Sequence, residues 1–342
     1  MTDDRQNGVI NRAWLIGLVL VAGLAVVAAL RSGLFDLPTV PSDVTLVASG
    51  LDGLRELENL AEALRSRAPR DTSLPGGAIL VCQGLIYVDS GKPQDGLDLL
   101  RKVVRLDPDN LVFANTYRMC AFRLRRDFLK QSNQESSPTP TLPDYLAKEP
   151  IAFFDTLVKE HPSRETKLSL ALSWVDEMLL FPALEIKAPS SVQSLRVLDE
   201  ILNGEDAYYV PALFARGLNH LHRPSRLVWP ETDKTPPDAA VRDIGRAVAV
   251  GRKFKVGSPR LQATLAIALG DAYVKIGKSG NARSWWQVAQ NLSHDAATEG
   301  AVKRRYAWRD EEILDRLEEE LDRARAALDE PMTDLRIMWD PS

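Results

Sequence analysis

Apolar positions recur along most of the chain at spacings of three and four residues, the period of helices with one buried face and not of strands. One stretch breaks that rhythm. From Ala13 to Leu30 the sequence reads AWLIGLVLVAGLAVVAAL, without a charge. A helix of that length rises about 27 Å, close to the roughly 30 Å of a bilayer's hydrocarbon core. The pattern predicts a single transmembrane helix over residues 13–31, with Trp14 at one interface and Arg31 at the other. A cleaved signal peptide is the alternative, because Arg12 precedes the run and Val27-Ala28-Ala29 supplies small residues. Arg5 and Arg12 before the span, against Arg31 after it, orient the N-terminus toward the cytoplasm. The rest of the chain then lies outside the cytoplasm, in the periplasm of a Gram-negative host.

After a linker at 32–43, residues 44–67 carry Leu51, Leu54, Leu57, Leu60 and Leu64 on one helical stripe and predict a capping helix. Residues 77–110 (GAILVCQGLIYVDSGKPQDGLDLLRKVVRLDPDN) then form two short amphipathic helices closed by Asp107-Pro108. Leu80, Gly84 and Tyr87 give the first helix a large residue, a small contact residue and an aromatic. Gly96, Leu100 and Val103 serve the second, and Pro108 blocks its continuation. This stretch resembles the tetratricopeptide repeat (TPR). The resemblance implies an all-α, TPR-type helical-hairpin solenoid of about five irregular repeats behind the transmembrane helix, since one hairpin cannot bury its apolar face alone.

The array is expected over residues 44–296. A second repeat pairs residues 111–130 with 151–160 across an inserted loop at 131–147, and Pro162 ends it. The third places Leu168, Ala171, Leu172 and Val175 on its first helix and Ser194, Leu198 and Ile201 on its second, across an insert at 178–191. The fourth sets Leu213, Gly217 and His220 against Ala240, Ile244 and Ala247 across an insert at 223–238. The fifth resembles the family best after the first: Leu269, Gly270 and Tyr273 face Ala282, Trp286 and Ala289, although His294 stands where proline would close the repeat. Capping helices are expected over 297–330, where residues 310–328 carry Leu314, Leu317, Leu321, Ala324 and Leu328 in a seam. The tail at 331–342 holds Leu335, Ile337, Met338 and Trp339, too apolar for a solvated end, and predicts a fold back onto the array or a contact with a partner.

Composition narrows the chemistry. A formal net charge of −4 with interspersed signs leaves no footprint for nucleic acid. Two cysteines, Cys82 and Cys120, make no disulfide framework, and they read as buried thiols with a bridge geometrically open. Gly277-Lys278-Ser279 ends like a phosphate-binding loop but lacks the upstream glycine, where Ala272 stands, and reads as a hairpin turn. His220 and His222 point to different sides of a helix, poor geometry for a metal. Asp176-Glu177 and the acidic run at 310–312 read as a helix end and a solvated face. No catalytic constellation, cofactor motif or metal site is predicted.

What remains is a binding surface. In the family the first helices line the concave face, and the resemblance carries that role onto Val81, Leu85 and Val88 in the first repeat and Asn115, Met119, Phe122 and Arg123 in the second. This face is apolar, so the expected ligand is a protein partner presenting an amphipathic helix or apolar peptide; the opposing expectation is that these residues pack as core. The sequence thus predicts a non-enzymatic, membrane-anchored scaffold or adaptor for a membrane or envelope complex. The alternative is an accessory subunit of an enzyme complex, with a small-molecule pocket built by the inserted loops around His220, Trp229 and Asp233.

Overall fold

The computed structural model describes residues 74–134, 142–147, 149–181, 184–223, 236–254, 258–327 and 331–338. The expected anchor, the linker and the capping helix at 44–67 lie outside them. No helix among the described residues is long and apolar enough to cross a membrane. Every regular element described is helical, and the chain divides into two compact units, up to Asp107 and from Pro108 onward.

The described part of the first unit is one hairpin, α1 (Leu74–Asp89) and α2 (Pro93–Leu106). Its turn runs through Gly91 at φ 81°, a left-handed conformation that costs a glycine nothing. The Lys92 and Gly91 amides donate back to the carbonyls of Tyr87 and Val88 at 2.9 and 3.2 Å. Leu97, Leu100, Val103 and Val104 fill the space between the helices. The axes approach so closely because Gly84 and Gly96 face each other: a Cβ on Gly96 would lie 2.6 Å from the Gly84 carbonyl oxygen.

The second unit is a succession of hairpins. Helix α3 (Leu111–Gln134) is followed by the short α4 (Asp144–Ala147) and α5 (Ile151–Glu160); then come α6 (Arg164–Leu180) and α7 (Leu184–Glu200), α8 (Val210–Leu221) and α9 (Pro236–Phe254), and α10 (Pro259–Lys275) and α11 (Ser279–Leu292). Helices α12 (Ala296–Tyr306) and α13 (Ile313–Ala326) and a 3-10 turn (Leu335–Met338) complete it. Starts are set locally. Asn110 accepts from the amides of Val112 and Phe113, Ser163 and Thr166 form a reciprocal capping box, and Ser258 and Asp295 cap α10 and α12.

The α10–α11 hairpin repeats the turn of α1–α2. Gly277 stands at φ 72°, and the Lys278 and Gly277 amides return to Tyr273 and Val274, both at 2.9 Å. Gly-Lys-Ser is therefore a turn. Where α3 meets α5 there is no glycine; Tyr117 instead meets the rings of Phe153 and Phe154 at centroid distances of 4.9 and 5.8 Å.

Three expectations need correction. The segment 178–191 is not an inserted loop: α6 runs to Leu180 and α7 begins at Leu184 with Pro189 inside it. Proline withdraws one amide from the ladder, and the rest of the helix carries it. Helix α3 likewise extends four residues into the expected insert, to Gln134. The seam of α13 is Ile313, Leu317 and Leu321, at strict four-residue spacing, whereas Leu314 and Ala324 are exposed.

Candidate functional site

In the second unit the first helices of the hairpins touch in order, α3 to α6, α6 to α8 and α8 to α10, and so form one layer. Onto this layer the chain returns twice. Helix α13 packs on α10, where Lys275 pairs with Glu318 at 3.1 Å and Arg325 donates to the carbonyl of His222 at the end of α8. The tail, residues 331–338, then contacts α3 and α10.

The tail's contacts are polar and come mostly from side chains of the layer. Asn115 on α3 uses both ends of its amide: Oδ1 accepts from the Leu335 backbone N–H at 3.0 Å, and Nδ2 donates to Asp334 Oδ1 at 2.9 Å. One turn later, Arg118 donates to the Thr333 carbonyl, to Asn115 Oδ1 at 2.8 Å and to Asp176 Oδ2 on α6 at 2.5 Å. The Thr333 hydroxyl donates to the other oxygen of Asp176. At the far end the Ser258 hydroxyl donates to the Ile337 carbonyl at 2.7 Å while still accepting from the Leu261 amide as the cap of α10. Leu335 is buried among these groups.

The electrostatics explain the arrangement. Arg118 and Asp176 are 1% and 0% exposed, a depth at which an ion pair is tolerable only if its remaining donors and acceptors are satisfied. Burial pushes the Asp176 carboxyl above its ordinary range against the pull of Arg118 and the Thr333 hydroxyl. Burial also raises Asp334, but the hydrogen bonds from Arg336 and Asn115 outweigh it and hold that carboxyl below its ordinary range. Asp334 is therefore ionised at neutral pH and paired with Arg336, and the tail supplies the hydroxyl and carbonyl that complete the Arg118–Asp176 pair.

Two further buried aspartates brace the unit. Asp243 receives two bonds from Arg216, at 2.7 and 2.9 Å, while the same arginine reaches Asp199 on α7 at 2.6 Å. Asp271 receives two bonds of 2.7 Å from Arg305 on α12 and one of 3.1 Å from the Trp286 indole.

The expected groove residues take different positions. Val81 is buried, Leu85 half-buried, and Val88 is turned into its own hairpin, where its Cγ2 would meet a Cβ on Gly96 at 2.5 Å. Val88 is thus withdrawn from any groove, because the space opposite a glycine is filled by the facing side chain. Asn115 lies under the tail, Phe122 is core at 2% exposure, and Met119 and Arg123 are half-buried. Sequence reasoning missed Arg118, Asp176, Ser258 and Thr333; the available signal was Arg118 one helical turn from Asn115. Cys82 and Cys120 are buried thiols, and burial raises the Cys82 pKa. His220 and His222 are buried in and just after α8, while Trp229 and Asp233 lie outside the described residues. Among the described residues no three His, Cys, Asp or Glu side chains gather as a metal site would require.

Among known proteins, neither a family model nor a curated relative matches the chain. Of solved structures, a thermophilic TPR protein of Thermus thermophilus is similar at 17% identity and a TM-score of 0.39, over 68% of this chain and 97% of its own. The described residues form an all-α succession of helical hairpins, consistent with a TPR-type array.

Proposed function

We propose that this protein is a membrane-tethered scaffold that holds a protein partner on the layer formed by α3, α6, α8 and α10. The observation that carries the reading is the grip of that layer on a short turn of chain, in which Asn115, Arg118 and Ser258 bind backbone groups that any peptide possesses. A short peptide segment, not a long amphipathic helix, fits this mode. The tether rests on the uncharged run at 13–30 and on the count of flanking arginines, which favour a cytoplasmic N-terminus and an array outside the cytoplasm. Confinement at the membrane would raise the array's effective concentration toward a partner there, such as an envelope complex. No reaction is assigned to it.

Photo-crosslinking in cells tests the partner. A crosslinker at half-buried Met119 or Arg123 should trap a discrete protein adduct, whereas one at exposed Lys159 on α5 should not. Equal labelling at all three positions, or none, would remove the first-helix layer as the binding surface. Reporter fusions at Thr45 and after Ser342 test the topology, and cytoplasmic signals from both would reverse it.

A further inference from the structure

Reading the first-helix layer as the binding surface raises the question of what residues 333–337 are doing on it. We propose that this segment is a built-in occupant of the partner site, and that the partner displaces it with a peptide of the same chemistry: a hydroxyl residue, an aspartate and a leucine in succession.

The contacts set those requirements. Asp176 needs a donor, which the Thr333 hydroxyl supplies, Asn115 Nδ2 needs an acceptor, which the Asp334 carboxylate supplies, and the buried position of Leu335 suits an aliphatic side chain. Arg118, Asn115 and Ser258 need a backbone carbonyl, an amide and a second carbonyl at the spacing of a short turn. An empty layer would leave a buried arginine, aspartate and asparagine short of partners, which is costly. The layer is therefore best occupied at all times, and exchange of one such segment for another leaves the buried pair satisfied throughout the bound states.

The grip has the character of a ligand rather than of core. Leu335 is its one fully buried apolar side chain, Ile337 and Met338 are half-buried, and Arg336 is exposed. Beyond the Arg336–Asp334 pair inside the segment, its polar partners are drawn from α3, α6 and the cap of α10. Being attached, it acts at an effective concentration of the order of millimolar. A free peptide then binds with an affinity reduced by the fraction of molecules whose site is open.

The test uses the full chain in detergent and a fluorescent peptide of the sequence PMTDLRIM, which is residues 331–338. Leu335→Glu in the protein should eject the attached segment, and fluorescence anisotropy should then show the peptide binding at least about tenfold more tightly than to the wild type. A chain ending at Glu330 should behave likewise, and a peptide carrying the same Leu→Glu change should not bind. Equal binding to wild type and variant, or none to either variant, would overturn the proposal. So would loss of helicity in both variants by circular dichroism, which would make the segment a fixed part of the fold. Concentration-dependent dimers of the wild type that vanish in Leu335→Glu would assign the site to a second copy of the chain instead. Crosslinks at Met119 that form equally in wild type and Leu335→Glu would leave the scaffold reading standing and remove this one.

Discussion

Gly270 and Trp286 meet so closely that a Cβ built on the glycine would stand 2.5 Å from the indole Nε1 and 3.0 Å from the carbonyl oxygen of Ala282. The indole is fully buried and held by Asp271, so it has nowhere to move. Gly270→Ala should therefore overpack the α10–α11 contact and cost about 1–3 kcal/mol. Gly217 faces Ile244 at 2.5 Å in the same way, whereas a Cβ on Gly204 meets nothing within 4 Å. Thermal melts should rank Gly270→Ala and Gly217→Ala well below Gly204→Ala, and equal melting would disprove these helix contacts.

Asp271 offers a second test. Its two oxygens neutralise the buried Arg305 and accept the Trp286 N–H. Asp271→Asn keeps the shape but leaves the guanidinium with only the more distant Glu320 carboxylate at 3.8 Å, and breaking such a pair from one side costs about 3–5 kcal/mol. Asp271→Asn with Arg305→Met should recover much of that loss in urea unfolding, because the buried charge is gone. A double variant no more stable than the single one would mean that the pair is not the source of the effect.

The hairpins are legible in the sequence because their signals are local. Gly84, Gly217 and Gly270 lie at helix contacts as their spacing predicts, and the Gly-Lys turn recurs at Gly91 and Gly277. The tail is legible only as too apolar for solvent, since its site is assembled from residues far apart in sequence. Arg118, Asp176 and Thr333 look like ordinary solvated residues until the fold brings them together. Asp176-Glu177 reads as a helix end for that reason. The segment 178–191 misleads in the opposite way, because two prolines resemble a loop although one of them lies within α7.

His222 should make stability depend on pH. Burial, and then the charges of Arg325, Lys275 and Arg305, push its pKa from 6.5 to about 3. The unfolded chain therefore binds a proton between those values while the folded chain does not, so stability is fully present above the unfolded pKa and falls as pH drops toward the folded one. The slope from this group approaches about 1.4 kcal/mol per pH unit. His222→Gln should flatten the fall in urea-unfolding free energy between about pH 6 and pH 4. An unchanged slope would show that the imidazole is not held neutral.

Asn115 and Asp334 give the sharpest test of the tail's seat, because an amide donates where a carboxylate accepts. Asn115→Asp would set a second carboxylate against Asp334, which its hydrogen bonds with Arg336 and Asn115 hold ionised at neutral pH despite burial. It would also remove the donor of a charged hydrogen bond, worth about 1.5–3 kcal/mol. The Leu335 amide, which donates to Asn115 Oδ1, should then exchange with solvent at least about tenfold faster in hydrogen-exchange measurements, the factor expected for about 1.4 kcal/mol. The reciprocal double change, Asn115→Asp with Asp334→Asn, restores one donor and one acceptor across the contact and keeps an oxygen for the Leu335 amide and for Arg118. Protection should return toward the wild-type value in that double variant. If Asn115→Asp leaves exchange unchanged, the amide is not what seats the tail; if the double variant stays as exposed as the single one, the loss came from disruption of α3 and not from the contact with Asp334.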